Sequence, residues 1–198
     1  MAADAPIPAA RRPSAAKVRL LEVADELFYA DGINTTGIDR IIAEASVTKA
    51  TFYKQYGSKD ALILEYVIGR DRQVRDSLTE LSLRNADPEK TLRALVAGII
   101  GDTARPEFRG CPFLNAAAEF PNPRHPVRRA ISDHRDWFTA YLEDHLAGMG
   151  HPHPGDAADE LYLLRDGAMT GGYAGDEIAA TSALTRAAER IFAEALAG

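Results

Sequence analysis

A short stretch of the sequence around position 52 combines cationic and hydrogen-bonding side chains in a pattern suited to nucleic acid. Its charged residues are lysines, Lys49 and Lys54, and Lys59 follows just beyond. Ammonium groups neutralise phosphates, and hydroxyl, amide and helix N-terminal groups can bond to phosphates or base edges. We expect these side chains to be open to solvent or DNA: Thr48, Lys49, Thr51, Tyr53, Lys54 and Gln55. Among them, Thr51 and Gln55 are the candidates for reading bases.

The net charge of the chain is -6 at pH 7, which by itself does not suggest a partner rich in phosphate. The charges are distributed unevenly, however. Residues 1–60 carry eight basic and eight acidic side chains, whereas residues 61–198 carry fifteen basic and 21 acidic ones. Because a local basic face can bind DNA on an acidic protein, the composition permits a DNA contact confined to the first third of the chain.

The lysine-bearing stretch lies in a pattern of short helices. Apolar residues recur at helical spacing from position 17 to a stop at Gly32, which predicts a first helix. Capping oxygens for a second, short helix are offered by Asn34, Thr35 and Thr36. Thr48 caps a third helix of about two turns, in which Val47 and Phe52 would pack inward. A support helix, a tight turn and a recognition helix that fits a major groove about 12 Å wide form a helix-turn-helix.

The remainder of the chain shows helical periodicity and no strand pattern. A long fourth helix has an apolar stripe interrupted by Asp71, for which we favour a structural pair with an arginine over a ligand contact. Asp87 and Pro88 mark the start of a fifth helix, and Asp156 with Asp159 suggests a cap for a later one, after a His-Pro loop. The predicted fold class is therefore all-α, with about nine helices.

Three glycines spaced four residues apart, Gly167, Gly171 and Gly175, fall in the region of the eighth helix. Each glycine costs a helix about 1 kcal/mol, which close approach of a neighbouring helix could offset. Alternatively, the pair Gly171 and Gly172 ends or bends the helix. The sequence leaves both interpretations open.

Residues 17–64 resemble the TetR family of one-component regulators. The matching residues are Leu27, Phe28, Gly32, Thr36, Ile41, Ala45, Val47, the block from Thr48 to Tyr53, Tyr56, Ser58, Lys59, Asp60, Ala61 and Leu62. The segment GCPFLNAAAEFPNPRHPVR also resembles one branch of the family. Two positions depart from the family pattern: Ser46 replaces the customary turn glycine, and Gln55 stands where many members have a histidine.

The resemblance implies three DNA-binding helices, a long linking helix, and a sensor domain whose last two helices form a four-helix interface in a homodimer. We accordingly divide the chain into a disordered arm at 1–16, a helix-turn-helix domain at 17–60 and a ligand-binding and dimerisation domain at 61–198. Arg11 and Arg12 of the arm could enter a minor groove, with a solvated tail as the alternative. Carried over residue by residue, the DNA contacts fall on Thr36, Thr48, Lys49, Ala50, Thr51, Tyr53, Lys54, Gln55 and Lys59.

Apolar and aromatic residues of the second domain are candidates for an effector pocket, because an apolar cavity with a few polar groups suits a lipophilic or aromatic compound. The candidates are Phe108, Cys111, Phe113, Leu114, Asn115, His134, Trp137, Phe138, Tyr141, Met169 and Tyr173. Ordinary core packing is the alternative for each of them. Cys111 precedes a predicted helix start, where a thiolate is favoured, so a redox role stays open beside that of an inert buried thiol.

We therefore expect a repressor that binds operator DNA and is released by a small lipophilic or aromatic effector. The alternatives are an activator of the same fold and a helical small-molecule-binding protein that has lost DNA binding. The sequence shows no apolar run long enough for a membrane helix, no metal-ligand spacing and no nucleophile paired with a base. Those features predict a cytoplasmic protein that is not an enzyme and needs no metal or cofactor.

Overall fold

The structure is a computed structural model that describes residues 13–196. Within this range it contains nine α-helices and no strand, which confirms the all-α prediction: α1 (Ala15–Asp31), α2 (Ile38–Glu44), α3 (Lys49–Tyr56), α4 (Lys59–Asn85), α5 (Pro88–Thr103), α6 (Pro112–Glu119), α7 (Pro126–Gly148), α8 (Pro154–Ala174) and α9 (Glu177–Leu196). None of these helices is long and apolar enough to cross a membrane. The predicted minor-groove contacts of Arg11 and Arg12 lie outside the described residues.

Helices α1 to α3 pack around one apolar core. Leu20, Ala24 and Phe28 lie on one face of α1, and they belong to the same buried cluster as Ile41 of α2 and Phe52 of α3. The spacing of four residues along α1 places these side chains above one another on a single helix face. Two short helices, which would be marginal alone, are thus stabilised by burial against a longer one.

Local capping fixes several helix starts where the sequence predicts them. The side chains of Thr48, Ser58 and Asp87 each accept a hydrogen bond from the backbone N–H three residues ahead, at 3.1, 3.1 and 2.9 Å. These bonds confirm the predicted starts of α3, α4 and α5. Helix α1 begins at Ala15, two residues before the predicted position, because Ser14 makes the equivalent bond at 3.2 Å.

The predicted cap of α2 is wrong. The residue before the helix is Gly37, which has no side chain to offer, and none of Asn34, Thr35 and Thr36 caps it. The two threonine hydroxyls instead donate back to the carbonyl oxygen of Gly32, at 3.1 and 2.8 Å. A hydroxyl next to a helix end can satisfy either the preceding carbonyls or the following amides, and here both hydroxyls bond to the carbonyl of the residue that follows α1.

The start of α8 also differs from the prediction. The helix begins at Pro154, inside the segment predicted as a loop, because a proline at the first helical position loses no hydrogen bond. Asp156 and Asp159 therefore lie within the helix and do not cap it. The preceding residue, His153, makes no side-chain capping bond.

The structure assigns different roles to the three spaced glycines of α8. The helix continues through Gly171 and ends at Gly175, whose φ of 103° is unfavourable for other residues. A Cβ atom at Gly171 would stand 2.9 Å from the Cβ of Ala180 on α9, so this glycine permits close approach of the two helices. Gly167 has open space around it, with nothing within 4 Å of an added Cβ. The interpretation of close helix approach is therefore confirmed at Gly171, whereas the pair Gly171 and Gly172 does not end the helix.

Helix α4 belongs to both halves of the molecule. Leu62 and Tyr66 lie in the core of α1 to α3, whereas Leu78 lies in a second buried cluster built with α5, α7, α8 and α9. Arg70 of α4 also forms a two-pronged ion pair with Asp25 of α1, at 2.6 and 2.7 Å. A displacement of α4 in the second cluster would therefore be transmitted to the N-terminal helices.

Candidate DNA interface and buried polar core

Helices α2 and α3 meet at a tight turn that leaves one surface of α3 in solvent. Ser46 in this turn has a φ of 52°, a left-handed conformation that costs a non-glycine residue about 1 kcal/mol or more. Val47 packs against the N-terminal core and Phe52 is fully buried, as predicted. The serine that replaces the family's turn glycine therefore stores backbone strain in the turn.

The solvent-facing surface of the turn and α3 carries most of the predicted DNA contacts. Thr48, Lys49, Ala50, Tyr53 and Lys54 are exposed, and Thr51 and Gln55 are half-buried. Lys49 Nζ lies 3.2 Å from Asp39 Oδ1 of α2, but both side chains are largely exposed, so this pair is weak and screened by salt. All but two of the predicted contacts are thus brought together on one short segment.

The other two, Thr36 and Lys59, are engaged inside the domain. Thr36 is fully buried, and its hydroxyl donates to the Gly32 carbonyl oxygen at 2.8 Å. Lys59 Nζ donates to the carbonyl oxygen of Ile33 at 2.6 Å and lies 5.9 Å from the ring centroid of Phe28. Burial lowers the pKa of Lys59. The structure does not bring either side chain to the exposed face of α3.

Comparisons with known proteins identify this arrangement. Residues 20–66 match the family model for bacterial regulatory proteins of the tetR family, and residues 88–149 match the model for a tetracyclin repressor-like C-terminal domain. The crystal structure of SCO4454, a TetR-family transcriptional regulator from Streptomyces coelicolor, is 40% identical, with a TM-score of 0.86, over 91% of this chain and 95% of that one. This chain belongs to the TetR family.

Curated relatives of this TetR-family chain are also transcriptional regulators. LmrA of Bacillus subtilis (strain 168) is 25% identical over 128 residues, which is 63% of this chain and 68% of that protein. The transcriptional repressor SCO4008 of Streptomyces coelicolor is 46% identical over 54 residues, 27% of this chain and 28% of that protein. The chain is therefore a DNA-binding transcriptional regulator with a helix-turn-helix, and its family is not one of enzymes.

The predicted effector contacts of this TetR-family regulator lie in different surroundings. Phe108, Cys111, Phe113 and Met169 are buried in the core shared with the N-terminal helices, with Leu114 at its edge, and Phe138 is buried in the second cluster, with Trp137 and Tyr141 at its edge. Asn115 and Tyr173 are exposed, and both contact Arg109. The Asn115 amide donates to the carbonyl oxygen of Arg109 at 2.7 Å, and the guanidinium of Arg109 lies 5.2 Å from the Tyr173 ring centroid. Asn115 and Tyr173 are not brought to a shared interior.

His134 of α7 lies between the core shared with the N-terminal helices and the second buried cluster. It is fully buried and stacks on Phe113 of α6, with ring centroids 3.6 Å apart and ring planes 12° from parallel. Its Nδ1 lies 2.8 Å from Asp71 Oδ1, and Arg75 donates to the other carboxylate oxygen at 2.7 Å. The arginine partner predicted for Asp71 is confirmed, and Arg75 also lies 4.2 Å from the Trp137 ring centroid.

The protonation of this cluster follows from its contacts. Burial would raise the pKa of Asp71, but hydrogen bonds from Arg75 and His134 outweigh burial and hold that pKa below its usual value. Burial lowers the pKa of His134 despite its bond to Asp71. At neutral pH, Asp71 is thus an ionised acceptor and His134 is neutral with its proton on Nδ1. The lone pair on His134 Nε2 is buried without a hydrogen-bond partner in the described structure, which costs about 1–3 kcal/mol.

A second buried charge, Arg165 of α8, lies in the same region. Its Nη1 donates to Asp166 Oδ1 at 2.7 Å and to Cys111 Sγ at 3.4 Å, and its guanidinium lies 5.4 Å from the Phe138 ring centroid. The positive charge of Arg165 also contributes to the low pKa of His134. The core of the C-terminal domain therefore contains a neutral acceptor and a paired cation surrounded by aromatic rings.

Sequence reasoning missed Arg165 because arginine in an amphipathic helix is usually on the solvated face. A usable signal was its position: Arg165 follows Leu161 by four residues and precedes Ala168 by three, so it lies on the buried face of α8.

Grooves on the surface of the described structure differ in what they reach. One of about 720 Å³ lies between α1 and α4 and contains none of the predicted effector contacts. One of about 290 Å³ lies between α4 and α7, and Asp71 is part of its wall. Another, of about 360 Å³, lies between α8 and α9. Of these grooves, the α4–α7 groove leads to the carboxylate that holds His134.

Proposed function

We propose that this TetR-family regulator is a homodimeric repressor, released from its operator by a small lipophilic or aromatic effector that bonds to His134. The observation that carries the proposal is the combination of an uncovered polar face on α3 with an unpartnered acceptor in an aromatic core. The name of the relative SCO4008, a transcriptional repressor, supports the direction of regulation.

The exposed face of α3 is suited to the major groove. Lys49 and Lys54 can neutralise phosphates, and the half-buried Thr51 and Gln55 can reach base edges from a helix two turns long. Tyr53 is 45% exposed on the same face, so its hydroxyl is available to donate to a phosphate. A single face of this size offers few phosphate contacts, so useful affinity requires two recognition helices roughly 34 Å apart.

An apolar surface on α8 and α9 supports the dimer. Leu163 is 66% exposed and Ile178 is 81% exposed, and the α8–α9 groove beside Leu163 is lined by small and apolar residues, including Gly167 and Ala183. Large exposed apolar side chains next to a groove are typical of an interface between copies. The last two helices would therefore pair with the same helices of a second subunit.

The polar core supports a particular class of effector. Phe113, Trp137 and Phe138 supply aromatic surfaces around His134, whose neutral ring is held by Asp71 with Nε2 as an acceptor. An aromatic compound with a hydroxyl or N–H donor would satisfy this acceptor and recover the cost of leaving it unpaired. Binding would weaken DNA affinity if the occupied core favours a different spacing of the recognition helices.

The DNA-binding half of the proposal is tested by titrating the purified protein into labelled DNA from upstream of its own coding sequence at several salt concentrations. We expect log affinity to fall against log salt with a slope near -5, for about six phosphate contacts per dimer. Lys54→Ala removes one contact per subunit, so it should reduce the slope by about 2. Lys90→Ala, which removes an exposed lysine of α5, is the matched control and should leave the slope unchanged.

The outcome also separates the alternatives. A wild-type protein that binds DNA weakly with a flat salt dependence would contradict the proposal and favour a small-molecule-binding protein that has lost DNA binding. An effector that strengthens DNA binding would indicate an activator.

The effector half is tested with phenol and anisole, which share an aromatic ring, while phenol alone has a donor. In the ¹⁵N-histidine NMR spectrum, phenol should move the His134 Nε2 resonance and anisole should not, because a hydrogen bond to the lone pair changes its shielding. His145, whose Nε2 lies 3.2 Å from Ser82 Oγ, is an internal control. Equal responses to the two compounds, or no response to either, would contradict a donor-bearing effector.

A further inference from the structure

Glu119, the last residue of α6, crosses from the C-terminal domain to the turn between α1 and α2. Its two carboxylate oxygens accept hydrogen bonds from consecutive backbone amides, Oε1 from Ile33 at 2.8 Å and Oε2 from Asn34 at 2.6 Å. Charge-assisted bonds of this length are about twice as strong as bonds between neutral groups. One side chain thus occupies two amide donors of the DNA-binding domain.

The turn is shaped to receive a carboxylate. Gly32, with a φ of 94°, precedes two N–H groups that donate to the same carboxylate, and successive amides of this kind form an anion-binding concavity. Lys59 donates to the carbonyl oxygen of Ile33 at 2.6 Å, and its charge interacts with Glu119. Ile33 itself is buried. The turn is therefore held from both sides, by a cation of α4 and a carboxylate of α6.

The location of Glu119 is unfavourable for α6 itself. A carboxylate in the last turn of a helix faces the free carbonyl groups and the negative end of the helix dipole, which is unfavourable. The bonds to Ile33 and Asn34 offset this cost. The residue is thus explained by its contact with the DNA-binding domain and not by the stability of its own helix.

The start of α6 is also attached to the end of α1. The hydroxyl of Tyr29 donates to the carbonyl oxygen of Gly110 and accepts from the N–H of Arg109, both at 3.0 Å. Between the two attachments, Phe113 of α6 stacks on His134 of the buried polar core. Helix α6 therefore contacts the DNA-binding domain at both ends and the proposed effector site in its middle.

We propose that Glu119 is a positioning residue, which fixes the orientation of the helix-turn-helix domain on the sensor domain by holding the amides of Ile33 and Asn34. In the dimer, this orientation sets the distance between the two recognition helices. The effect on the distance between recognition helices rests on the proposed function, whereas the orientation of the helix-turn-helix domain concerns a single chain.

Two substitutions separate the charge of Glu119 from its reach. Glu119→Gln keeps the shape but presents an NH₂ group to one of the amides, so one bond is lost and two donors oppose each other. Glu119→Asp keeps the charge but is one methylene shorter, so it cannot reach both amides. Glu107→Gln, at an exposed residue before α6, is the control for removal of one negative charge.

The first measurement is amide hydrogen exchange at Ile33 and Asn34 by NMR in the full-length protein. Loss of one charge-assisted bond should accelerate exchange about tenfold or more in Glu119→Gln, with a smaller effect in Glu119→Asp and none in Glu107→Gln.

The second measurement is the distance between spin labels attached at an Ala43→Cys site in the two subunits, in a Cys111→Ser background. Ala43 is exposed on α2, so a label there follows the DNA-binding domain. We expect a wider distance distribution in Glu119→Gln, with the helix content and the dimer unchanged. A purely stabilising side chain would alter the melting temperature and leave the distribution as it was.

Unchanged exchange in Glu119→Gln would overturn the proposal, and so would faster exchange with an unchanged distance distribution. If the wild-type chain proved to be monomeric, the proposed function would be contradicted, because it requires a homodimer. The exchange comparison would still decide whether Glu119 holds the turn.

Discussion

The exposed face of α3 and the buried polar core around His134 are built in different ways. Helix α3 is fixed by its cap, Thr48, and by two buried anchors, Phe52 and Tyr56, so the outward side chains that follow the cap contribute little to the fold. In the core, Asp71 reaches His134 across 63 residues of sequence, and Arg165 reaches Cys111 across 54. Substitutions of the exposed side chains of α3 should therefore change DNA affinity with little effect on stability, whereas those in the core should change stability as well.

The largest expected effect is at Asp166, in the polar core. Its carboxylate accepts from Arg165 at 2.7 Å and from Arg135 at 2.6 Å. Asp166→Ala would leave Arg165, which is 7% exposed, without its anion, and breaking a buried pair costs about 3–5 kcal/mol. Because Arg135 is partly exposed, we expect about 3 kcal/mol, measured as the free energy of unfolding in urea.

Glu160→Ala provides the matched control, since it removes a carboxylate of the same helix whose partner, Arg190, is exposed. The control should change the free energy of unfolding by less than about 0.5 kcal/mol. Similar losses in the two variants would show that the core pair is no more important than a surface pair, and the contrast between the two regions would disappear.

The same contrast explains what the sequence could predict. The helix-turn-helix depends on signals within four residues, such as the caps Thr48 and Ser58 and the apolar spacing that buries Phe52, and these predictions are confirmed. The cap of α2 was mispredicted because a hydroxyl can bond in either direction along the chain. Only the three-dimensional structure shows that Thr36 bonds to the carbonyl oxygen of Gly32.

The functional groups of the C-terminal domain were only partly predictable. Periodicity placed His134 and Phe138 on one face of α7, and the spacing of Arg165 from Leu161 and Ala168 could have placed it on the buried face of α8. The reach of Glu119 follows from no local pattern. Glu119 meets its amide partners 85 and 86 residues away. Such pairs are determined by how helices pack, and a single sequence carries no signal for them.

A second, smaller effect concerns pH and His134. In the unfolded chain this histidine takes up a proton near its ordinary pKa of 6.5, whereas burial in the folded chain lowers its pKa. Below pH 6.5 the unfolded state therefore binds more protons, so stability is lost as the pH falls, by at most about 1.4 kcal/mol per pH unit. His134→Gln, which can still donate to Asp71, should flatten the pH dependence of the free energy of unfolding between pH 7 and the folded pKa.

The charged groups around His134 keep their protonation states between pH 7 and the folded pKa of His134, so they add no pH dependence of their own in this range. Asp71 remains ionised because its pKa is lowered, and Arg75 and Arg165 keep their charges. An identical pH dependence in wild type and His134→Gln would mean that other groups dominate, and that the polar core is no more sensitive to protonation than the surface.

The smallest expected effect tests backbone strain in both regions with one pair of substitutions. Ser46 in the turn before α3 and Ala86 at the end of α4 both have a φ of 52°. Glycine relieves about 1–2 kcal/mol of strain in this conformation but adds about 0.4–1 kcal/mol of entropy to the unfolded chain, so each substitution should stabilise by about 0.5 kcal/mol. Thermal unfolding of Ser46→Gly and Ala86→Gly measures this gain, and DNA titration follows affinity.

If the strain at Ser46 only reflects the absence of a glycine, both variants gain stability and bind DNA like the wild type. A loss of affinity confined to Ser46→Gly would instead show that the strained turn sets the angle of α3. DNA affinity would then depend on the backbone of the turn as well as on the exposed side chains of α3.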